Sequence, residues 1–220
     1  MSAETVILAA GDFPKKGGAA WLLLAEAKRV VACDGAANAY RRRFGTWPSV
    51  IVGDFDSLKC PRSCTAELVC VPDQDTNDLE KAMALCAARG WRHPVIVGAT
   101  GRREDHTIGN VFRALAGGCE IVSDTGRFIP VSGTLTVRAP KGTAVSVFAS
   151  DPKTKMTSRG LEWPLDDVVF DSLYRATLNR TRAARFTVTS DRPVLVYVEA
   201  GILRTPEGEI RYDPDTGKRR

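Results

Sequence analysis

The sequence predicts an N-terminal, mostly parallel-sheet α/β domain followed by a smaller antiparallel, β-sandwich or barrel-like domain, and three observations carry that prediction. Short β-branched runs alternate with helix-like stretches over the first 125 residues, which is the rhythm of βαβ units. Those runs are apolar throughout rather than at every second residue, as strands covered on both faces must be. After Gly126 the pattern changes to short alternating runs set apart by Pro, Gly and charged turns, with little room for helices.

In chain order the first six runs are TVILAA (5–10), RVVACD (29–34), SVIVGDF (49–55), LVCVP (68–72), PVIVGA (94–99) and CEIVSD (119–124). Between the fourth and fifth, NDLEKAMALCAARG (77–90) reads as a helix with Leu79, Met83 and Cys86 on one face and Gly90 as its stop. The later runs, RFIPV, GTLTVRAP, TAVSVFAS, VVFDSLYRATL, ARFTVTS and PVLVYVEA, read as separate antiparallel strands. The domain boundary falls near residues 125 to 132, giving an α/β domain over 1–128 and a β-rich domain over 129–204. A polar, turn-rich tail over 205–220 reads as a loose hairpin or a frayed end.

Composition bounds the function without choosing it. With 44% hydrophobic and 26% charged residues the chain is an ordinary globular one, and its net charge of +5 favours anionic ligands weakly. Its six cysteines lie mostly in apolar runs, so reduced thiols rather than disulfides are expected. Cys60 and Cys64 form a lone C-x3-C without a second pair or a nearby histidine, which is too few ligands for zinc. Glu4 stands where a signal peptide needs basic residues, and no stretch approaches a membrane span, so a cytoplasmic protein without a membrane partner is expected.

In an open parallel sheet, ligands bind beyond the carboxyl ends of the strands. Acids gather there: Asp34 after the second run, Asp54 and Asp56 after the third, Asp73, Asp75 and Asp78 after the fourth, and Asp105 after the fifth. Taken singly each is an ordinary cap or turn residue. Several converging on one sheet edge would repel unless a cation lay among them, and hard oxygen donors favour magnesium shared with substrate phosphates. No Walker or dinucleotide fingerprint is present; instead GATGRREDHTIGN (98–110) offers glycines, the pair Arg102 and Arg103, and a helix start for phosphate oxygens. Neither His93 nor His106 has a serine or cysteine at triad spacing, so covalent catalysis is not expected.

Taken in order, CDGAAN (33–38), VGDFDS (52–57), PDQDTNDLEKA (72–82) and GATGRREDHTIGN (98–110) resemble the four ATP- and metal-site motifs of the thiamine pyrophosphokinase (thiamine diphosphokinase) family. SRGLEWPL (158–165) and RATLN (175–179) are similar to that family's later strand and turn. The resemblance implies a magnesium-dependent homodimer that transfers the pyrophosphoryl group of ATP to the hydroxyethyl group of thiamine, giving thiamine diphosphate and AMP. It implies Asp54, Asp56 and Asp78 as magnesium ligands, with Asp34 and Asp105 as nearby acids. It further implies Gln74, Asn77, Arg103, His106 and Asn110 on ATP, and Trp163, Thr177 and Asn179 on thiamine. Such a transfer needs positioning and charge neutralisation more than covalent help, and Asp34, Asp56 and Asp105 are the candidate bases for the thiamine hydroxyl.

The chain departs from the family pattern at three places. Ala36 replaces a common glycine, which requires φ below zero there; Asn77 precedes Asp78 where threonine is usual; and Val196 replaces an aromatic, with Tyr197 directed by period two to the other face. The alternatives are another magnesium-dependent nucleotide-diphosphate transferase acting on a different small alcohol, including a D-x-D sugar-nucleotide enzyme. A nucleic-acid module on Arg175, Arg180, Arg182, Arg185 and Arg192 has only Tyr174 and Phe186 as stacking residues, too sparse a platform, so no nucleic-acid partner is expected.

Overall fold

The computed structural model describes residues 3–59, 62–200, 202–204 and 210–212. The chain divides into two compact units after Ser123. The first unit runs β1 (Thr5–Leu8), α1 (Ala19–Glu26), β2 (Arg29–Cys33), α2 (Ala36–Phe44), β3 (Val50–Gly53), β4 (Glu67–Cys70), α3 (Asp78–Ala88), β5 (Val95–Val97), α4 (Glu104–Ala116) and β6 (Glu120–Val122). All six strands are parallel, in the order β6-β5-β1-β2-β3-β4, with Ile7 of β1 opposite Val31 on one side and Ile96 on the other.

Both faces are covered over β1, β2, β3 and β5, which is why these strands carry apolar side chains at successive positions, whereas the edge strand β4 is mostly exposed. Val6 and Leu8 pack with Ala20 and Leu24 of α1 and with Ala37 and Tyr40 of α2. On the other face α3 lies against β1, β2 and β3. The chain winds outward from β1 in one direction to β4 and then resumes on its other side with β5, so the strand order reverses beside β1. A crevice at the carboxyl ends is the consequence of such a reversal.

Helix α3 begins with a capping box. Asn77 Oδ1 accepts the Glu80 N–H at 2.9 Å while Glu80 Oε2 accepts the Asn77 N–H at 3.1 Å. Gly90, at φ 67°, follows the helix as its stop. Leu79 and Cys86 are buried as the periodicity predicts, but Met83 is only half-buried, and Ala82 and Lys81 take the remaining inward places. Ala36 opens α2 in helical conformation, so the φ below zero that alanine requires there is met.

The second unit contains β7 (Gly126–Arg138), β8 (Ala144–Phe148), β9 (Met156–Arg159), β10 (Ala176–Arg180), β11 (Arg185–Glu199), β12 (Ile202–Arg204) and β13 (Ile210–Tyr212). It is antiparallel in the order β10-β8-β11-β7, with β9 on β11 and β12 on β13, while β13 meets β7 in parallel at Ile210–Val137. Strand β11 is shared: Thr187–Ser190 pair with β9, while Leu195–Val198 pair with β8. The register against β7 shifts between Ser190 and Val194, across Pro193, which has no N–H to give a ladder. Val137, Val145, Val147, Phe170, Phe186 and Val196 form the core.

Three strand expectations are corrected. RFIPV and GTLTVRAP form one strand, β7, and ARFTVTS and PVLVYVEA likewise form one strand, β11, because the ladder between them resumes on both sides of Ser132 and of Asp191-Arg192. Of VVFDSLYRATL only the end from Ala176 is strand; turn bonds from Arg175 N to Ser172 O (3.2 Å) and Thr177 N to Tyr174 O (3.1 Å) fold the rest, with Phe170 anchored in the core. Strand β9 overlaps only the Ser158-Arg159 start of SRGLEWPL and begins before it, at Met156. Of the 205–220 tail, residues 210–212 form β13 and the others lie outside the described residues. Cys33, Cys64, Cys70, Cys86 and Cys119 are free thiols, and Cys60 lies outside the described residues. No helix among the described residues is long and apolar enough to cross a membrane.

Candidate active site

Asp34 follows β2, and Asp54 and Asp56 follow β3, at the carboxyl edge of the parallel sheet. One carboxylate oxygen from each lies within 4.8 Å of the other two. The backbone is bent to achieve this: Asp34 has φ 39° and Phe55, between the other two acids, has φ 68°. Left-handed conformations at residues with side chains cost on the order of 1 kcal/mol or more each, and such strain gathers at functional sites. A hydrogen bond from the Asp34 N–H to Val52 O at 2.9 Å helps to hold the first of them.

The acids are unequally satisfied. Asp34 is 2% exposed; its Oδ2 accepts the Ser57 N–H at 3.1 Å and the Ser57 hydroxyl, while its Oδ1 is buried with no hydrogen-bond partner. Buried carboxylate oxygens are normally paired, so this one suits a donor or a cation. Asp54 accepts Gln74 Nε2 at 3.0 Å and the Asp56 N–H at 3.3 Å, and the Gln74 bond, with the Asp56 amide next, holds its carboxyl below the usual range. Three converging carboxylates with one orphaned oxygen fit a hard divalent cation.

Asp78, implied by the resemblance as a third ligand, lies outside that triplet. Its Oδ1 meets Lys81 Nζ at 3.3 Å, and the lysine side chain is 4% exposed. Burial pushes the Asp78 carboxyl up, Lys81 pulls it back, and Asp34 and Asp54 raise it further. The two aspartates approach because residue 53 is glycine: a Cβ there would stand 2.8 Å from Asp34 Cβ and 3.3 Å from Asp78 Oδ1.

Asn38, Ser57 and Lys81 carry structural duties that sequence reasoning did not single out. Asn38 donates to Ser57 O at 3.0 Å and accepts the Lys59 N–H at 3.0 Å, tying α2 to the loop that bears Asp54 and Asp56. The signal available was position alone, since Asn38 closes the CDGAAN segment and Ser57 closes VGDFDS.

The residues after β5 divide differently from the expectation. Arg102, at φ 59°, donates to Ala10 O at 3.0 Å, and Asn110 donates to Ala99 O at 2.9 Å. Arg103 pairs with Asp105 through Nε–Oδ1 at 3.1 Å and Nη2–Oδ2 at 2.6 Å, and both side chains are exposed, as is His106. Arg103 lowers the Asp105 carboxyl to about 2, which makes it a poor proton acceptor. Because the folded value is the depressed one, the pair's contribution is complete above the ordinary carboxylate range of about 4 and fades as pH falls toward 2. An NMR titration of Asp105 should show that low value in the native protein and a return toward about 4 in Arg103→Gln; an unchanged midpoint in the variant would refute the pairing.

In the second unit Asn179 is buried and spends its amide on backbone: Nδ2 donates to Trp163 O at 2.7 Å, and Oδ1 accepts the Trp163 N–H at 3.2 Å and the Arg180 N–H at 2.8 Å. It therefore positions Trp163, whose ring is half exposed with the Arg180 guanidinium 5.2 Å from its centre. Thr177 Oγ1 donates to Tyr174 O at 2.9 Å. Val196 is in the core, and Tyr197 faces the other way, against Phe128. Asn179→Ala should cost about 1–3 kcal/mol in urea unfolding, the penalty for orphaning buried polar groups; an unchanged midpoint would show that the clamp contributes nothing.

Residues 20–121 match the family model described as thiamin pyrophosphokinase, catalytic domain, and residues 126–197 match that described as thiamin pyrophosphokinase, substrate-binding domain. The chain belongs to the thiamin pyrophosphokinase family. A curated relative, thiamin pyrophosphokinase 1 of Caenorhabditis elegans, is 39% identical over 92 residues, a match that spans 38% of this chain and 38% of the relative's length. The solved thiamin pyrophosphokinase from Candida albicans is similar in fold with TM-score 0.72 at 14% identity, covering 89% of each chain. The one from Geobacillus thermodenitrificans gives TM-score 0.69 at 19% identity, over 98% of this chain and 100% of that one. The yeast enzyme gives TM-score 0.69 at 14% identity, over 90% of this chain and 86% of that one.

Proposed function

We propose that this chain transfers the pyrophosphoryl group of ATP to the hydroxyethyl oxygen of thiamine in the presence of Mg²⁺, giving thiamine diphosphate and AMP. The observation that carries the reading is the convergence of Asp34, Asp54 and Asp56, with one orphaned buried oxygen, at the carboxyl edge of the sheet in a chain of the thiamin pyrophosphokinase family. Asp34, Asp54 and Asp56 would hold the ion, with Asp78 behind them; bound there, Mg²⁺ would neutralise negative charge on the polyphosphate.

The chain's own groups do the rest. Gln74 orients Asp54, Ser57 orients Asp34, and Asn38 fixes the loop between them and α2. Because Arg103 keeps Asp105 ionised down to about 2, the hydroxyl proton of the acceptor falls to Asp34 or Asp56 instead. Trp163, held by Asn179, is an exposed ring that would stack on a thiamine heterocycle.

The test is to incubate the purified chain with thiamine, ATP and Mg²⁺ and to identify products by mass. Thiamine diphosphate with equimolar AMP is expected. Thiamine monophosphate with ADP, or untouched thiamine, would overturn the reading.

A further inference from the structure

Lys81 stands where a lysine is costly. It lies in the first turn of α3, its N–H bonded to Asn77 O at 3.0 Å, with a side chain 4% exposed and its Nζ 3.3 Å from Asp78 Oδ1. Lysine is almost never buried to that degree unless paired, and the N-terminal end of a helix disfavours positive charge besides. A methionine would fill the same space without either penalty, and replacing a buried ion pair by apolar residues is often neutral or stabilising. Folding therefore gives no reason for the charge. The acids it faces do.

Four aspartates gather around one place. Asp34, Asp54 and Asp56 each bring a carboxylate oxygen within 4.8 Å of the other two. Asp34 Cβ and Asp78 Oδ1 lie 2.8 Å and 3.3 Å from the point where a Cβ on residue 53 would stand, so Asp78 borders the triplet without joining it. The charges of Asp34 and Asp54 reach Asp78, and the Lys81 charge acts on Asp54 and Asp73 as well as on Asp78. Lys81 is thus a fixed positive charge on the buried side of the cluster.

We propose that Lys81 is a positioning residue for the cation: by engaging Asp78 it keeps the aspartates from acting together as a cage, so that a divalent ion is held firmly only when a polyphosphate shares it. The inference rests on the reading of Asp34, Asp54 and Asp56 as the cation site. Magnesium is ordinarily bound through one or two carboxylates, with phosphate oxygens and water completing its shell, rather than by an all-protein cage. Four aspartates without an internal cation approach such a cage, because a divalent ion relieves their mutual repulsion. Lys81 opposes this in two ways. It occupies Asp78 Oδ1, and its ammonium repels a further cation where little water screens the two charges. Asp34 Oδ1, buried and without a hydrogen-bond partner, stays open to the ion. The ion then enters and leaves with the phosphates that share it.

The experiment is to titrate Mg²⁺ alone, without nucleotide, into the full chain and into Lys81→Met, Lys81→Arg and Asp54→Asn/Lys81→Met by calorimetry, with a melting curve for each. Lys81→Met removes the charge and keeps the bulk, and it should take Mg²⁺ about tenfold more tightly or better. Lys81→Arg should return the weaker binding, a rescue that a role in packing alone would not produce. Added Mg²⁺ should also raise the melting temperature of Lys81→Met more than that of the unaltered chain. One measurement needs no variant: the Lys81 ammonium, followed by ¹⁵N NMR in the unaltered chain, should shift as Mg²⁺ with ATP is added. Equal Mg²⁺ affinity in Lys81→Met and the unaltered chain, or an ammonium resonance that the ion does not move, would overturn the role of Lys81. The metal reading would outlive that result if Asp54→Asn alone still lost its Mg²⁺-dependent turnover. A gain in affinity that survives in Asp54→Asn/Lys81→Met would put the ion off the triplet and sink the reading on which the inference rests.

Discussion

Asp54→Asn is expected to lose about 10³-fold or more in turnover at ordinary Mg²⁺ while melting within about a degree or two of the unaltered chain. Asparagine keeps the shape of the side chain and an oxygen that can still accept the Asp56 N–H, now 3.3 Å from Asp54 Oδ1. Gln74 can turn its amide to present oxygen to the new NH₂ in place of its present 3.0 Å donation. What disappears is one negative charge from a triplet whose oxygens lie within 4.8 Å of each other, so folding loses little and cation binding loses much. Steady-state rates across a Mg²⁺ series, beside a melting curve, read both halves. Near-normal turnover at low Mg²⁺ would remove Asp54 from the metal site.

Asp78→Asn acts differently, because Asp78 is the charge partner of a buried lysine. The Lys81 side chain is 4% exposed and its ammonium meets Asp78 Oδ1 at 3.3 Å. Removing the carboxylate charge leaves an ammonium inside the unit with a neutral partner; breaking a fully buried pair costs about 3–5 kcal/mol, and the 32% exposure of the Asp78 side chain puts this one at the lower end. Urea unfolding should show that loss in Asp78→Asn. Lys81→Met on top of it should return part of it, since the methionine stem fills similar space without a charge. A single variant as stable as the unaltered chain, or a double variant worse than the single, would show that the pair is not what stabilises this corner.

Much of the first unit was legible because its strands are buried on both faces and so announce themselves as unbroken β-branched runs. The acids were legible for a related reason: each stands where a buried run stops. What sequence alone did not show is which acids meet. Asp34 joins Asp54 and Asp56 through left-handed turns at residues 34 and 55, conformations that side chains rarely adopt and that no periodicity encodes. Lys81 was hidden by the ordinary rule that lysine faces water, which fails where a carboxylate waits inside.

In the second unit, Ser132 before Gly133 and the Asp191-Arg192 pair read as breaks between runs, yet β7 and β11 run through both, and through Pro130 and Pro193, because the ladder between them continues on either side. Strand β9, Met-Thr-Ser-Arg, has one buried apolar residue in four and is strand only because Thr187–Ser190 of β11 lie beside it.

The sharing of β11 has a consequence for how the polypeptide is made. Strands β7, β8 and β9 pair with it but not with one another, so the ladders join β7, β9 and the β8–β10 pair to each other through Arg185–Glu199. A ribosome releases the complete parallel sheet, whose six strands all lie before residue 123, well before β11, and when everything up to Ala184 has emerged β7, β9 and the β8–β10 pair still lack the strand whose ladders join them. The interval between those two events is the period in which the nascent chain most needs a chaperone, and it ends when a single fifteen-residue strand emerges and closes the second unit around itself.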